Sequence, residues 1–324
     1  MRLAIVSIAA ALALAAAPAR GAETRIGEDF AFDVSAYRGW VLWNRHSDGD
    51  RRPGPVLWRG SPRSFEPALG AASGVQRARL GSDGSGRTAI VYVGCAHQRD
   101  IGGYDDCDLV RHRVADGTEK AILHEGDSYD LMAPTLDRGT LALGRWGRSA
   151  AARLGLWLRR PGDRLRRLGS DLPSQIDMAR GRIVYAASRG DAYDFHVARA
   201  IDVRGRRPRY RTLATHDSSY EDGRIPGTTI TRFDSVAVDG RYGYWLRVEL
   251  RDDVDESRFQ VWRADLDDPD APVAILDLGH PARSIAVTGG RVYYANDRRS
   301  ADRGIWEVRD PAWRGTGLTT PVND

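Results

Sequence analysis

Three histidines each open a short polar segment, and these segments indicate where chemistry could occur in this chain. His124 begins HEGDSYD, His216 begins HDSSYED and His280 begins HPARS. Imidazole and carboxylate groups that converge on one site can bind a divalent cation and activate a water molecule. One interpretation is therefore a metal site with His124, His216 and His280 as ligands. The other is ordinary hydrogen bonding within polar loops.

The first two of these segments share a Ser-Tyr-acid pattern that adds hydrogen-bonding groups beside the imidazoles. It reads Ser128-Tyr129-Asp130 in one segment and Ser219-Tyr220-Glu221 in the other. Recurrence at one position of a repeat also follows from simple inheritance of a polar loop, so the pattern alone does not decide between a site and a loop. The predicted binding residues are His124, Tyr129, Asp130, His216, Tyr220, Glu221 and His280.

Clusters of acidic residues form a second candidate for cation binding. Carboxylate oxygens are hard ligands that suit calcium, but none of the clusters has the spacing of a recognised calcium loop. Solvated charges that discourage strand-to-strand aggregation explain them equally well. No cofactor is predicted apart from a divalent cation, calcium or zinc, at one of these candidates. The clusters comprise Asp48, Asp50, Asp105, Asp106, Asp252, Asp253, Asp255 and Glu256.

Several catalytic motifs are missing from the sequence, which narrows the functional classes. It contains no G-x-S-x-G nucleophile elbow, no phosphate-binding Walker loop and no dinucleotide-binding G-x-G-x-x-G. It also lacks a C-x-x-C-H haem motif and an H-E-x-x-H zinc motif. The sequence therefore favours a binding protein over an enzyme.

The elements that must position these side chains are strands, which recur as copies of one unit. In RSIAVTGGRVYYAND (283–297), alternating apolar residues and strong β-formers flank a Gly-Gly turn that suits a tight hairpin. Similar passages recur every 42 to 59 residues, close to the roughly 40–50 residues of a propeller blade. Their turn glycines are Gly39, Gly86, Gly139, Gly181, Gly240 and Gly290.

Third and fourth strands complete the repeat. Four of the nine tryptophans fall in the third strand. We expect them to pack between blades, because large aromatic side chains dominate core energetics; stacking on a ligand is the alternative. Fourth strands read TEKAIL, RLRRLG, YRTLAT and PVAILDL. Six such units predict an all-β fold, a six-bladed β-propeller of four-stranded antiparallel blades. The four tryptophans are Trp58, Trp157, Trp262 and Trp306.

The N-terminus has the layout of a secretory signal peptide. Arg2 precedes an apolar run over 3–17, which ends in the small residues Ala17-Pro18-Ala19. We predict a signal peptide over 1–22 and a single propeller domain over 23–324. The protein is then exported to the periplasm, the cell envelope or the extracellular space.

The two cysteines agree with export. Cys95 and Cys107 bound one loop between the second and third strands of the second unit. A hairpin brings such positions together, and an even pair in an oxidising compartment indicates a disulfide. Two free thiols or a metal-binding pair are the alternatives.

Charge and hydropathy limit the partners. The 48 Lys and Arg residues are interleaved with 44 Asp and Glu residues, which leaves a formal net charge of +4. No basic block with interleaved aromatic residues is present, so we expect no nucleic-acid partner. No second apolar segment is long enough to cross a bilayer. We expect a monomer.

With its strands, repeat spacing and export signal, the chain resembles the TolB-like six-bladed β-propeller family over roughly 30–318. Units such as VDGRYGYWLR and TGGRVYYANDRRSADRGIWEVR carry the resemblance. It implies that the innermost strands line a central channel, and that the three histidine segments share one face of the ring. We therefore expect a non-catalytic scaffold that binds a protein, peptide or glycan at that face. The alternative is a metal-assisted hydrolase or lactonase with its site at the channel mouth.

Overall fold

The secondary structure of the protein is entirely β in the part that can be described. Within that part the chain forms 24 strands and no helix. In particular, no helix there is long and apolar enough to cross a membrane. The computed structural model describes residues 22–29, 31–45, 54–65, 75–98, 104–124, 129–147, 154–189, 195–205, 207–217, 229–251, 257–268, 272–296, 302–311 and 313.

The strands form six antiparallel sheets of four strands. The first half of the chain contains one short N-terminal strand and then blades 1 to 3. The short strand is β1 (Thr24–Gly27), and the blades are: blade 1, β2 (Ala31–Tyr37), β3 (Trp40–Arg45), β4 (Gly54–Trp58) and β5 (Pro62–Ser64); blade 2, β6 (Val75–Ser82), β7 (Thr88–Gln98), β8 (Tyr104–Arg113) and β9 (Glu119–His124); blade 3, β10 (Tyr129–Asp137), β11 (Thr140–Gly147), β12 (Gly155–Arg159) and β13 (Arg166–Gly169).

The second half of the chain repeats this plan. The remaining strands are, in blade 4, β14 (Pro173–Ala179), β15 (Arg182–Arg189), β16 (Phe195–Asp202) and β17 (Arg209–Asp217); in blade 5, β18 (Thr229–Asp239), β19 (Tyr242–Arg251), β20 (Arg258–Asp265) and β21 (Val273–Asp277); in blade 6, β22 (Ser284–Thr288), β23 (Arg291–Asn296) and β24 (Gly304–Arg309).

The fourth strand of blade 6 comes from the other end of the chain. β1 pairs antiparallel with β24, with Thr24 opposite Glu307 and Arg25 opposite Trp306. Each innermost strand also contacts the innermost strands of both neighbouring blades, from β2 through β22 and back to β2. The sheets therefore close into a ring, and the predicted six-bladed propeller is confirmed.

The turn glycines behave as the sequence predicts. Two-residue turns join the first and second strands of five blades, and their glycines adopt positive φ, for example Gly39 (81°) and Gly139 (76°). Such φ values suit glycine because it lacks a Cβ atom. These turns define the lower face of the ring. The upper face is the opposite one, where the innermost strands begin.

Polar side chains join each blade to the next around the channel. At every one of the six interfaces, a Ser, Asp or Gln on one innermost strand accepts a hydrogen bond from a backbone N–H of the next innermost strand or of the turn that follows it. The innermost edge of each sheet would otherwise carry unpaired N–H groups, which are costly to bury. The pairs are Leu80 N to Ser35 Oγ (2.9 Å), Arg138 N to Ser82 Oγ (2.8 Å), Gly181 N to Asp137 Oδ2 (3.2 Å), Val236 N to Gln175 Oε1 (2.8 Å), Val238 N to Asp177 Oδ2 (2.7 Å), Ile285 N to Ser235 Oγ (2.8 Å), Gly290 N to Asp239 Oδ2 (3.0 Å) and Val34 N to Ser284 Oγ (3.1 Å).

Apolar packing fills the space between blades farther from the axis. The four tryptophans of the third strands are partly buried there, which confirms their predicted packing role. Trp58 lies 6.5 Å from the ring of Tyr293 in blade 6, and Trp157 packs on the cluster between blades 2 and 3. Trp262 packs on the cluster between blades 4 and 5, and Trp306 packs on the cluster between blades 5 and 6.

Candidate binding face at the channel mouth

Four polar side chains meet in the upper half of the axial channel. They come from four different blades: Asp33 on β2, Arg79 on β6, Gln175 on β14 and Ser284 on β22. The Asp33 Oδ1 atom lies 2.9 Å from Arg79 Nη2 and accepts hydrogen bonds from Ser284 Oγ (2.9 Å) and Gln175 Nε2 (3.1 Å). Blades 1 and 4 are opposite in a six-membered ring, so the bond between Asp33 and Gln175 spans the axis. We call these four residues the axial cluster.

The axial cluster is held rigidly because its members also bond to the backbone. Gln175 Oε1 accepts from Val236 N (2.8 Å), and Arg79 Nη1 donates to Val34 O (3.2 Å). The Arg79 side chain is 5% exposed, whereas that of Asp33 is 23% exposed. Among the described residues, Asp33 Oδ2 has no hydrogen-bond partner. The contacts that hold Asp33 within the described part of the chain therefore all involve Oδ1.

Bulges allow these side chains to turn toward the axis. The pairing of β2 with β3 shifts register between Ala31 and Val34, and that of β6 with β7 shifts between Gln76 and Arg79. A bulge re-aims the side chains of its strand. Arg77, inside the second bulge, has a φ of 53°, and its Nη1 donates to Leu131 O of blade 3 (3.2 Å).

Below the axial cluster, Asp177 places a carboxyl group between blades 4 and 5. Desolvation raises the pKa of Asp177 to about 6, against the opposing effects of the Val238 N–H donor and the positive charge of Arg79. The negative charge of Asp137 adds to the upward shift. The raised pKa of Asp177 thus arises mainly because burial removes water from its carboxyl group.

Two blades have longer second strands than the others in the part of the chain that the structure describes. The second strands of blades 2 and 5, β7 and β19, contain 11 and 10 residues, against 6 to 8 in the other blades. Second strands start at the lower face, so their extra length projects upward. Blades 2 and 5 are opposite in the ring and therefore form two walls across the channel mouth.

The blade 2 wall carries the predicted disulfide. Cys95 and Cys107 are bonded, with 4.0 Å between their Cα atoms, which confirms the predicted pairing. They are directly opposite on β7 and β8. Pairing continues past them to Gln98 and Tyr104, so the bridge lies within the hairpin rather than at the base of a long loop.

An exposed apolar spot lies at the upper end of blade 3. Trp146 is 45% exposed and Leu154 is 37% exposed, and they flank the paired residues Arg145 and Gly155 on β11 and β12. The guanidinium of Arg145 lies 4.5 Å from the ring centroid of Trp157. Trp146 is thus an exposed indole, and Trp side chains are enriched at interfaces.

The predicted histidines lie at strand ends of the upper face, but two of them are engaged within separate blades. His124 ends β9, and its Nδ1 lies 2.7 Å from Asp108 Oδ1 of the same blade. His280 stacks on Trp306 of blade 6 at 4.2 Å between ring centroids, and its Nε2 lies 3.6 Å from Glu23 Oε2. Their connections, after blades 2 and 5, are opposite one another in the ring.

The remaining predicted residues are placed only by their backbone or not at all. Tyr129 and Asp130 begin β10, and His216 lies on β17 opposite His196. Their side chains, together with all of Tyr220 and Glu221, lie outside the described residues, as do the side chains of the acidic clusters. Within the described part of the chain, no group of three or more His, Cys, Asp or Glu side chains could hold a metal ion.

Sequence reasoning missed the axial cluster. A signal was present: in FDVSAY and PSQIDMA, isolated polar residues interrupt segments that otherwise read as buried strands. A buried polar side chain needs a hydrogen-bond partner. On an innermost strand that partner must come from another blade, because one edge of the strand has no neighbour in its own sheet.

Comparison with known proteins places the chain by fold. No protein-family model matches it, and no curated protein matches its sequence. Solved β-propellers do match. A gluconolactonase from Xanthomonas campestris shares 14% identity at a TM-score of 0.52, over 90% of both chains. A prolyl endopeptidase shares 13% identity at a TM-score of 0.50, over 89% of this chain and 48% of that one.

TolB from Acinetobacter baumannii is also similar, with 10% identity and a TM-score of 0.45, over 80% of this chain and 60% of that one. The chain spans about half the length of the peptidases that it matches. These comparisons support the β-propeller fold and do not single out the TolB-like family.

Proposed function

We propose that this protein is an exported, non-catalytic scaffold that binds a peptide or glycan across its upper face. The observation that carries the proposal is the shape of that face: two opposite blades rise as walls above a floor formed by the axial cluster. A ligand that lies between them contacts both walls and the floor at once. Concave sites with a few fixed polar groups are typical of ligand binding.

The rigidity of the floor supports binding. Its four side chains are fixed by hydrogen bonds to one another and to the backbone of neighbouring blades. A site that is organised before binding loses less entropy when the ligand arrives. Asp33 Oδ2 offers an acceptor to a sugar hydroxyl or a peptide N–H, and Trp146 offers an exposed ring face.

The proposal is tested on glycan and peptide arrays with the purified mature protein. Trp146→Ala should weaken binding to the array ligand about tenfold or more, since loss of a stacking aromatic residue at an interface costs about 2 kcal/mol. The matched control is Tyr210→Ala, because Tyr210 is equally exposed (49%) but lies at the start of β17 on the lower face. Equal losses in both variants, or no ligand on either array, would contradict the proposal.

Export is part of the same proposal and has its own test. The disulfide between Cys95 and Cys107 supports it, because such bonds persist in oxidising compartments. Intact mass of the protein recovered from the envelope or medium should correspond to removal of the first 22 residues or close to it. Full-length protein recovered from the cytoplasm with reduced cysteines would contradict export.

A further inference from the structure

A second site lies on the lower face, between the outer parts of blades 4 and 5. The strand ends there border an open cavity of about 240 Å³. Four arginines and two aspartates line it: Arg182, Arg204, Arg209, Arg211, Asp202 and Asp267. The upper face contributes none of these residues, so the cavity is independent of the proposed scaffold function.

Two of the four guanidinium groups are fixed by the two aspartates. Arg204 is paired with Asp202, with Nε 3.0 Å from Oδ1 and 3.1 Å from Oδ2. Arg182 pairs with Asp267, and its Nη1 donates to Arg241 O (3.4 Å). The hydrogen bond from Arg204 lowers the pKa of Asp202 to about 2, so Asp202 stays ionised. Each aspartate thus offsets one arginine.

The other two guanidinium groups form no ion pair with a carboxylate among the described residues, although Arg209 lies opposite Asp202 in the pairing of β16 with β17. Arg209 and Arg211 are two residues apart on β17, so they point to the same face of the strand. Arg211 Nη1 reaches only a carbonyl, Asp267 O, at 3.5 Å. Neither arginine forms an ion pair with any part of the chain that the structure describes. Counted over its lining residues, four arginines against two aspartates, the cavity carries a net charge of +2.

The floor of the cavity is apolar, which strengthens the effect of these charges. Ile201 is 1% exposed and Leu266 is 9% exposed. Electrostatic attraction is stronger beside such groups than in bulk water, because the local dielectric constant is lower. Arg182 adds to this effect because its side chain is only 8% exposed. The cavity thus combines guanidinium groups at its rim with an apolar floor.

We propose that this cavity binds a phosphate group, either as inorganic phosphate or as a phosphate ester of a small molecule. Two excess positive charges match a dianion. The planar guanidinium fork matches the tetrahedral oxygens of phosphate in bidentate geometry. The volume also leaves room for a small organic group beside the phosphate, and the open side of the cavity faces solvent at the strand ends.

Isothermal titration calorimetry at fixed ionic strength tests this assignment, with inorganic phosphate, a hexose phosphate and acetate as separate titrants. The wild-type protein should bind at least one of the two phosphates. The double variant Arg209→Gln, Arg211→Gln should bind it about a hundredfold more weakly, since each charge-assisted hydrogen bond contributes roughly 1.5 kcal/mol. Both side chains are exposed, so the fold should tolerate their replacement.

The matched control is Arg63→Gln, Arg164→Gln, which removes the same charge from exposed positions in other blades. Its affinity for phosphate should equal that of the wild type. A higher affinity for the hexose phosphate than for inorganic phosphate assigns the site to an ester, and the reverse assigns it to the free ion. Absence of binding, equal weakening in the control, or equal affinity for acetate would overturn the proposal.

Discussion

Replacement of Ser235 by alanine tests how the blades are held together around the channel. Ser235 is fully buried. Its Oγ accepts a hydrogen bond from Ile285 N (2.8 Å) and donates to Ile285 O (3.3 Å). Alanine leaves both backbone groups of the next blade without a partner. An unsatisfied buried donor costs about 1–3 kcal/mol, and for a chain of this size each kcal/mol corresponds to a shift in Tm of roughly 2 °C.

We therefore expect Ser235→Ala to lower the free energy of unfolding by about 1–3 kcal/mol and Tm by about 2–6 °C. Denaturant titration and calorimetry measure the two quantities. The control is Ser174→Ala, because Ser174 lies on an innermost strand as well but is exposed and bonds only within its own blade, to Ala186 O (3.2 Å); its effect should stay below about 1 kcal/mol. If the two variants are equally stable, the hydrogen bonds between blades do not stabilise the ring as argued.

Three further predictions concern the channel and the histidines. The pKa of Asp177 is raised to about 6 from 3.8, so between these pH values the native state binds more protons than the unfolded state. The free energy of unfolding therefore falls as pH rises from about 4 to 6, by at most about 3 kcal/mol. Asn does not titrate, so the free energy of unfolding of Asp177→Asn minus that of the wild type should increase by up to that amount from pH 4 to 6 in urea titrations. If this difference does not change with pH, the assigned pKa shift is wrong. Gly81→Ala should destabilise the protein severely or prevent folding, because the new Cβ atom would lie 1.9 Å from the Leu136 carbonyl oxygen. The control Gly84→Ala should retain the wild-type Tm, because its Cβ atom would meet nothing within 4 Å. Equal effects of the two substitutions would refute the close approach of β6 and β10. Protein purified without an affinity tag should contain less than about a tenth of an equivalent of divalent metal, and a full equivalent that disappears in both His124→Ala and His280→Ala would instead establish the hydrolase or lactonase interpretation.

The blades were predictable because each is specified locally. A two-residue turn requires positive φ, so Gly39, Gly139 and Gly181 mark the hairpins directly. The fourth strands of several blades were predictable as well, because each follows the third strand within the same sequence repeat. The disulfide was predictable for the same reason, since Cys95 and Cys107 flank one hairpin.

Ring closure was not predictable in this way because its partners are far apart in sequence. β1 has only four residues, TRIG, and nothing in that segment indicates a strand. It becomes one because β24 offers an unpaired edge, and an open edge favours addition of a strand. No strand is therefore predicted in Thr24–Gly27 from the sequence.

The axial cluster depends on geometry that no single blade contains. Asp33 and Arg79 turn inward because of bulges in β2 and β6. Gln175 reaches Asp33 only because six blades place β14 opposite β2. The histidine segments were expected on one face because of the family resemblance, and His124 and His216 lie at or near the ends of fourth strands. Their grouping into one metal site stays a prediction.

The central claim, that ligands bind between the two walls of the upper face, is tested most directly by hydrogen exchange. The protein should be saturated with its array ligand and compared with the free protein. We predict slower exchange at the upper ends of β7, β11 and β19, including amides beside Trp146. Slower exchange confined to the lower-face turns, such as Arg138-Gly139, would contradict the claim.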